Sequence, residues 1–185
     1  MLSPSFDRAA QFAVDKHRAQ LRKGSGAPYV THLFSVCALI GERGGDEEQM
    51  IAGLLHDSIE DQGVTRAELE ALFGPRVARI VEACTDAHEV PKPPWKPRKV
   101  AHLAALRREP ADVKLVSACD KLHNARSIAR DLADPAVGAA IWGRFSAPRE
   151  ETLWYYRALV DALGDGFSHP VISELDGVVV ALERA

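Results

Sequence analysis

Apolar residues recur along most of the chain with the three- and four-residue spacing of amphipathic helices. In residues 5–17, apolar side chains at positions 6, 9, 10, 13 and 14 fall on one face. The same spacing predicts further helices at about residues 29–41, 46–61, 65–73, 75–84, 98–107, 112–130, 146–163 and 174–182. Alternation with a period of two does not recur along the chain, so the pattern predicts an all-α fold.

Capping and turn residues mark several of the predicted helix ends. Asp46 with Gln49, and Thr65 with Glu68, have the three-residue spacing of a capping box at a helix N-terminus. Residues 89–97 contain four prolines, which are incompatible with a regular helix. This segment is therefore predicted to be a surface loop.

Length and composition predict one globular domain. The chain has 185 residues, of which 46% are hydrophobic and 26% charged, an ordinary balance for a protein with a sizeable core. Neither a compositional change nor an internal repeat divides the sequence. We expect residues 1–185 to form a single compact multi-helix domain, with its core at about 6–164 and a C-terminal helical extension at about 165–185.

Charge and cysteine content indicate which kinds of partner the protein binds and in which cellular compartment it is expected. The net charge of −3 lacks the basic excess typical of nucleic-acid-binding proteins, so we expect no nucleic-acid partner. The sequence shows neither a signal peptide nor an apolar run long enough to cross a membrane, so we expect no membrane association. Cys37, Cys84 and Cys119 form no CxxC pair, which is typical of a reduced, cytoplasmic protein.

Four ionisable residues interrupt the apolar helix predicted over residues 46–61. They are His56, Asp57, Glu60 and Asp61. Because residues four apart share a helix face, His56 is expected over Glu60 and Asp57 over Asp61. Carboxylates near a core are costly unless they are compensated, and a divalent cation is the simplest compensation.

Two further candidate ligands lie on other predicted helices. His32 falls on the apolar face of one helix, and Asp120 follows an unusually apolar run in another. Asn124 and Ser127 share the face of Asp120 and could hydrogen-bond a substrate. A mixed set of imidazole and carboxylate ligands suits Mn, Fe, Co or Zn. Since such ions lower the pKa of bound water, the set points to hydrolysis.

The order of these motifs, His32, then His56-Asp57, then Asp120, resembles the HD-domain phosphohydrolases, which are all-helical. Over about residues 6–164 the chain also resembles the hydrolase domain of the RelA/SpoT alarmone enzymes. The similar segments are 22–32 (RKGSGAPYVTH), 54–61 (LLHDSIED), 73–74 (FG), 85–86 (TD), 120–126 (DKLHNAR) and 151–156 (ETLWYY). No synthetase domain follows in the sequence, so the chain resembles the small stand-alone alarmone hydrolases.

This resemblance implies removal of the 3′-pyrophosphate from guanosine tetra- and pentaphosphate, usually with Mn²⁺ as the metal. The implied partner is thus a small nucleotide, and a homo-oligomer is compatible with the sequence. The metal ligands carried over by position are His32, His56, Asp57 and Asp120. Glu60 and Asp61 match the acidic pair that positions or activates water. The positions that match nucleotide contacts are Arg22, Lys23, Asn124 and Ser127.

Simpler interpretations of the individual residues stay open at this point. Glu60 and Asp61 could be a solvated helix end, Asp120 could pair with an arginine, and Arg22 and Lys23 could belong to an ordinary charged loop. Asn124 and Ser127 could hydrogen-bond the backbone only. Structural or surface roles are expected for the remaining histidines, which are His17, His88, His102, His123 and His169.

Other functions are also compatible with the motifs. The same metal chemistry could act on another nucleotide, such as a nicotinamide dinucleotide phosphate or a deoxynucleotide. A catalytically silent nucleotide sensor would retain the pocket without turnover, although the acidic pair argues against it. A di-iron oxygenase would need ligands for a second metal, for which His88 and His123 are the candidates. A purely structural helical scaffold gives no reason for buried acids around two inward histidines.

Overall fold

A computed structural model of the chain describes residues 1–86 and 91–185, and within these ranges the regular secondary structure is helical. The α-helices are α1 (Pro4–Lys16), α2 (Val30–Glu42), α3 (Glu47–Leu55), α4 (Ser58–Gln62), α5 (Arg66–Phe73), α6 (Pro75–Cys84), α7 (Trp95–Leu106), α8 (Ala111–Ala133), α9 (Arg149–Gly164) and α10 (Pro170–Arg184). Leu21 and Pro28 form an isolated antiparallel bridge in the loop before α2. The predicted all-α fold is confirmed.

The core forms where α2, α3 and α8 pack together, with α6 against α3 and α10 against α8. Leu33, Leu54 and Leu122 are fully buried in it. Gly53 allows α3 to approach α2 closely, because a Cβ atom there would lie 2.4 Å from Ile40 Cδ1. The three helices expected to carry metal ligands therefore meet in the centre of the protein.

The predicted capping box at Asp46 forms in full, whereas of the one predicted at Thr65 the structure shows only the bond to the Thr65 side chain. Asp46 and Gln49 form a reciprocal capping box at the start of α3. Thr65 Oγ1 accepts a hydrogen bond from the Glu68 amide at the start of α5. α4 ends at Gly63, whose φ of 64° is a left-handed conformation that favours glycine.

The helix predicted over residues 46–61 is interrupted, so that prediction is wrong in this respect. α3 and α4 are separated by His56 and Asp57, and the backbone of Asp57 leaves the helical region, with φ −98° and ψ 1°. At the break, the Ser58 side chain hydrogen-bonds a backbone carbonyl at the end of α3: Ser58 Oγ donates to Leu55 O at 2.7 Å. His56 and Asp57, which the sequence analysis proposes as metal ligands, thus lie at a turn between two helices.

The predicted loop at residues 89–97 is also too long, because α7 already begins at Trp95. Pro97 is tolerated there because the first-turn amides of a helix need no partner within the helix. Residues 89 and 90, and His88, lie outside the described residues. A 3₁₀ helix at Gly138–Arg144 was not predicted. Within the described ranges, no helix is long and apolar enough to cross a membrane.

Acid sensitivity is expected from His102, which is buried on α7 with 7% of its surface exposed. Burial, followed by the charges of Lys121 and Lys99, lowers the pKa of His102 to about 4 from 6.5. The folded protein therefore binds this proton less tightly than the unfolded chain, so stability is lost as pH falls from 6.5 toward 4. The expected loss is up to about 3 kcal/mol, from 1.36 kcal/mol per pKa unit.

Denaturant unfolding of the wild type and of His102→Leu at pH 7, 6, 5 and 4 measures this contribution. The variant should lose less free energy of unfolding over that range than the wild type. Parallel curves for the two proteins would show that His102 contributes no acid sensitivity.

Candidate metal centre and active site

Four side chains from three parts of the fold converge in the core. α2 supplies His32, the turn after α3 supplies His56 and Asp57, and α8 supplies Asp120. His56 Nε2 lies 2.9 Å from Asp57 Oδ2 and 3.5 Å from Asp120 Oδ1. His32 Nε2 lies 3.2 Å from Asp120 Oδ1 and 3.7 Å from Asp57 Oδ2. The structure thus brings together all four residues that the sequence selected as metal ligands.

The two imidazoles have the donor chemistry that a divalent cation requires. His32 Nε2 and His56 Nε2 are buried and have no hydrogen-bond partner within residues 1–86 and 91–185, although carboxylate oxygens lie close to both. The other nitrogen of His56, Nδ1, lies 2.8 Å from the carbonyl of Gly53 and therefore carries the proton. Nε2 therefore points at the Asp57 carboxylate. Against the opposing effect of burial, the charges of Asp57 and Asp120 raise the pKa of His56. A bound divalent cation would take the place of the proton between this nitrogen and the carboxylate.

Neighbouring side chains orient the carboxylates of the cluster. The Tyr29 hydroxyl donates to Asp57 Oδ2 at 2.6 Å. Asn124 Nδ2 donates to Asp120 Oδ1 at 2.7 Å, and Lys121 Nζ lies 2.6 Å from Asp120 Oδ2. Burial, reinforced by the charge of Asp57, raises the pKa of Tyr29, so its hydroxyl keeps the proton that it donates.

His123 contacts the cluster from the next turn of α8. Its Nδ1 lies 2.8 Å from His32 Nδ1, so one ring donates a proton to the other. Burial, followed by the neighbouring His32 and Arg22, lowers the pKa of His123 to about 4. His123 is thus neutral at neutral pH and able to fix the orientation of the His32 ring.

Glu60 and Asp61 lie on α4 at the edge of the cluster. Glu60 Oε1 lies 2.6 Å from Lys92 Nζ, and Asp61 Oδ2 accepts from Gln20 Nε2 at 2.7 Å. Burial raises the pKa of Asp61, and the charges of Asp57 and Glu60 raise it further. A carboxylate with a raised pKa is a stronger base than one in water, which suits it to accept a proton.

Two cavities meet at Tyr29, Asp61 and Asn124. The first, of about 180 Å³, contains the carboxylates of the cluster; its lining is Tyr29, Asp57, Glu60, Asp61, Cys84, Asp86, Lys99, Asp120, Lys121 and Asn124. The second, of about 310 Å³, has a different character; its lining is Gln20, Leu21, Arg22, Lys23, Tyr29, Asp61, Asn124 and Phe145. An acidic cavity thus adjoins one with two cations and three apolar or aromatic side chains.

The residues predicted to contact substrate lie around the second cavity. Arg22 Nη2 donates to Asn124 Oδ1 at 2.9 Å, which joins the loop before α2 to α8. Lys23 lines the same cavity. Ser127 instead lines a third cavity of about 90 Å³, together with Arg22 and Lys23, and its Oγ bonds the carbonyl of His123 at 3.0 Å.

Several residues around the site were not selected from the sequence. Gln20 and Lys99 have ordinary sequence contexts, and only their spatial contacts mark them, whereas Tyr29 lies within the similar segment 22–32. Lys121 and His123 flank Asp120 and Asn124, so their positions within the 120–126 segment were the available signal. The structure also places Cys84 in the lining of the acidic cavity, whereas Cys37 and Cys119 are buried core residues as expected.

This helical fold and its His–Asp cluster define a class of metal-binding domain. The family model described as "HD domain" matches residues 9–150, which is more than half of the chain. The chain therefore belongs to the HD-domain family. Membership implies a divalent metal, and His32, His56 and Asp57 form a cluster able to hold one.

Within this family, the chain is similar to two named groups of proteins. The guanosine-3′,5′-bis(diphosphate) 3′-pyrophosphohydrolase of Danio rerio is 39% identical over 122 residues, which are 64% of this chain and 66% of that protein. The GTP pyrophosphokinase rsh of Brucella melitensis is 32% identical over 161 residues, which are 85% of this chain. The chain spans just under two thirds of the first relative and 20% of the second.

A solved structure is similar to the whole fold. It is described as a metazoan ortholog of SpoT that hydrolyses ppGpp and plays a role in starvation responses. The two structures superpose with a TM-score of 0.82 at 27% sequence identity, and the match covers 98% of this chain and 97% of the other.

Proposed function

We propose that this chain hydrolyses the 3′-pyrophosphate of guanosine tetra- and pentaphosphate to GDP or GTP and pyrophosphate. The buried, unpaired Nε2 atoms of His32 and His56, facing carboxylates beside a cation-lined cavity, carry this proposal. The similarity to a 3′-pyrophosphohydrolase and to a ppGpp-hydrolysing structure supports the choice of nucleotide.

The metal would be held by the two histidines and the two aspartates of the cluster, namely His32, His56, Asp57 and Asp120. Mixed nitrogen and oxygen ligands suit Mn, Fe, Co or Zn, and the resemblance to the RelA/SpoT hydrolases is the reason to propose Mn²⁺ among them. When bound, such an ion supplies Lewis-acid activation of water and of a phosphoryl oxygen. Tyr29 and Asn124 hold the two aspartates in place through their hydrogen bonds.

Asp61, with Glu60 beside it, is the proposed base. A water molecule loses its proton to the carboxylate as its oxygen attacks the phosphorus that is bonded to O3′. The P–O3′ bond breaks, pyrophosphate leaves, and the 3′-oxygen takes up a proton to become a hydroxyl. The raised pKa of Asp61 supports its role, since a more basic carboxylate accepts the proton more readily.

The nucleotide would occupy the neighbouring cavity. Arg22 and Lys23 bind phosphate oxygens by charge-assisted hydrogen bonds, and Asn124 contributes a weaker polar contact. Ser127 would contact the nucleotide only where it extends into the third cavity, which Arg22 and Lys23 also line. We further propose that residues 1–185 act as one HD hydrolase domain that works in the cytoplasm in the stringent response. The burial of the Cys37 and Cys119 thiols supports a reducing compartment.

Incubation of the metal-stripped protein with guanosine tetraphosphate, with and without added Mn²⁺, tests the proposed function. Release of GDP and pyrophosphate that depends on Mn²⁺ is the expected result. A nicotinamide dinucleotide phosphate and a deoxynucleoside triphosphate are run in parallel. Folded protein that binds Mn²⁺ but releases no pyrophosphate from guanosine tetraphosphate would exclude the alarmone as its substrate.

Gly24 provides a separate test of the nucleotide cavity. Its φ of 88° is in the left-handed region, and a Cβ atom there would lie 2.3 Å from Cδ of Arg144. The methyl group of Gly24→Ala should therefore push aside the end of the Arg144 side chain, which pairs with Asp131 at 2.7 Å, and the positive φ should strain the loop that carries Arg22 and Lys23. We expect KM for the nucleotide to rise about tenfold, from strain of about 1–2 kcal/mol, with kcat little changed.

Gly26→Ala is the matched control for this variant. Gly26 also has a positive φ, of 68°, but apart from its two chain neighbours no atom of the described part of the chain lies within 4 Å of the position that its Cβ would take. It should raise KM less than Gly24→Ala does. Equal KM values in the wild type and in Gly24→Ala would show that this loop does not bind the nucleotide.

A further inference from the structure

Two lysines line the acidic cavity but have no role in the reaction described above. Lys99 comes from α7 and Lys121 from α8. Among the described residues that line this cavity, they are the only lysines or arginines, whereas Arg22 and Lys23 line its neighbour. Any phosphate that enters the acidic cavity must therefore find its protein cations here.

Lys99 is held in place and carries surplus positive charge. Its ammonium contacts Asp86, and it also lies 4.7 Å from the ring centroid of Tyr155. Asp86 is already paired with Arg98, whose Nη1 lies 2.5 Å from Asp86 Oδ1. Within the described residues, this group therefore has two cations for one carboxylate. Because the Lys99 side chain is only 16% exposed, its charge is poorly screened by water and strongly attracts an anion.

Lys121 lies between the metal cluster and the rest of the cavity. Its Nζ is 2.6 Å from Asp120 Oδ2, and its side chain is 20% exposed. An ammonium has three donors, so Lys121 can hold Asp120 and donate to a phosphate oxygen at the same time. Beyond the proposed metal ligands, the lining of the acidic cavity thus contains two ammonium groups, from Lys99 and Lys121.

We propose that Lys99 and Lys121 form a subsite for the terminal phosphate of a pyrophosphoryl group whose inner phosphate lies at the metal cluster. The inference rests on the proposed function and goes beyond it, because it assigns the preference for a pyrophosphoryl over a monophosphoryl group to these two side chains. A monophosphate at the metal cluster would leave the subsite empty. A pyrophosphate fills both positions.

Binding of inorganic pyrophosphate and of orthophosphate to the Mn²⁺-loaded protein tests the subsite without turnover. Isothermal titration calorimetry compares the wild type with Lys99→Met, which keeps the aliphatic stem and leaves Asp86 paired with Arg98. We expect Lys99→Met to bind pyrophosphate about 10- to 100-fold more weakly, because one charge-assisted hydrogen bond is lost. Its affinity for orthophosphate should change little. Lys121→Met should act in the same direction; its metal content is measured because Lys121 contacts Asp120.

Lys96→Met is the matched control on the same helix. Lys96 contacts Glu151 and the ring of Trp154 and does not line the cavity, so its removal should leave both affinities unchanged. If Lys99→Met does not fold, as judged by circular dichroism, Lys99→Gln takes its place. Unchanged pyrophosphate affinity in a folded Lys99 variant overturns the proposal, as does an equal loss of orthophosphate and pyrophosphate binding.

The two proposals fail in different ways. Lys99-dependent pyrophosphate binding in a protein that does not cleave guanosine tetraphosphate would keep the subsite and reject the nucleotide. Cleavage of guanosine tetraphosphate with pyrophosphate affinity independent of Lys99 would keep the function and reject the subsite.

Discussion

If Asp57 is the metal ligand that we propose, Asp57→Asn should reduce kcat/KM for guanosine tetraphosphate by about 10³-fold or more, because several kcal/mol of transition-state stabilisation is lost with the metal. An amide has no negative charge and is a poor ligand for a divalent cation. It still accepts a hydrogen bond, so the contact from Tyr29, at 2.6 Å in the wild type, can be kept. The fold should therefore survive the substitution while the metal is lost.

Thermal unfolding with increasing Mn²⁺ separates these effects. The wild type should gain about 2.7 kcal/mol at a metal concentration 100 times Kd, and Asp57→Asn should gain far less. Asp15→Asn is the control, since Asp15 lies on the surface of α1, where it pairs with Arg18. Equal Mn²⁺-dependent stabilisation of the wild type and Asp57→Asn would remove Asp57 from the proposed ligand set.

Asp61→Asn is expected to reduce kcat by about 10² to 10⁴, the usual contribution of a general base, while Mn²⁺ affinity stays close to that of the wild type. Asp61 lies outside the cluster of His32, His56 and Asp57, and Gln20 holds its carboxylate. Loss of turnover with the metal retained would distinguish a base from a ligand. The measurement is the pyrophosphate release rate at saturating Mn²⁺, together with a metal titration.

Measuring Glu60→Gln in parallel shows how much each carboxylate of the acidic pair contributes to kcat. Glu60 contacts Lys92, so its charge is partly neutralised, and the smaller loss of kcat is expected here. A larger effect at Glu60 than at Asp61 would exchange their proposed roles. Unchanged kcat in both variants would show that neither carboxylate accepts the proton.

Local sequence signals predicted helix ends correctly where contacts between residues close in the sequence determine the end. The Asp46–Gln49 capping box and Gly63 set helix ends through contacts within a few residues, and the capping box was predicted from sequence. The break at His56 and Asp57 was not predicted, because the apolar pattern continues through it. Longer-range contacts, such as that of Asp57 with Tyr29, favour the turn and leave no periodic signal.

Candidate site residues were likewise predicted where the signal lies within one helix and missed where it depends on tertiary contacts. His32, His56, Asp57 and Asp120 were selected because ionisable groups in apolar helices need compensation, and the structure brings all four together. Lys99 was overlooked, because a lysine in a charged helix segment is ordinary. Its burial beside Asp86 depends on how α7 packs against α9, which sequence spacing does not encode.

The sequence by itself thus determined the helical class, the core-facing pattern and the identity of the four clustered residues that we propose as metal ligands. These properties depend on the periodicity of side chains along one helix and on the cost of burying charge. Only the tertiary structure decided that two cavities adjoin, that His123 contacts His32, and that the two lysines extend the acidic cavity. Such contacts join residues far apart in the chain, and they exist only after α2, α7 and α8 have packed around a common core.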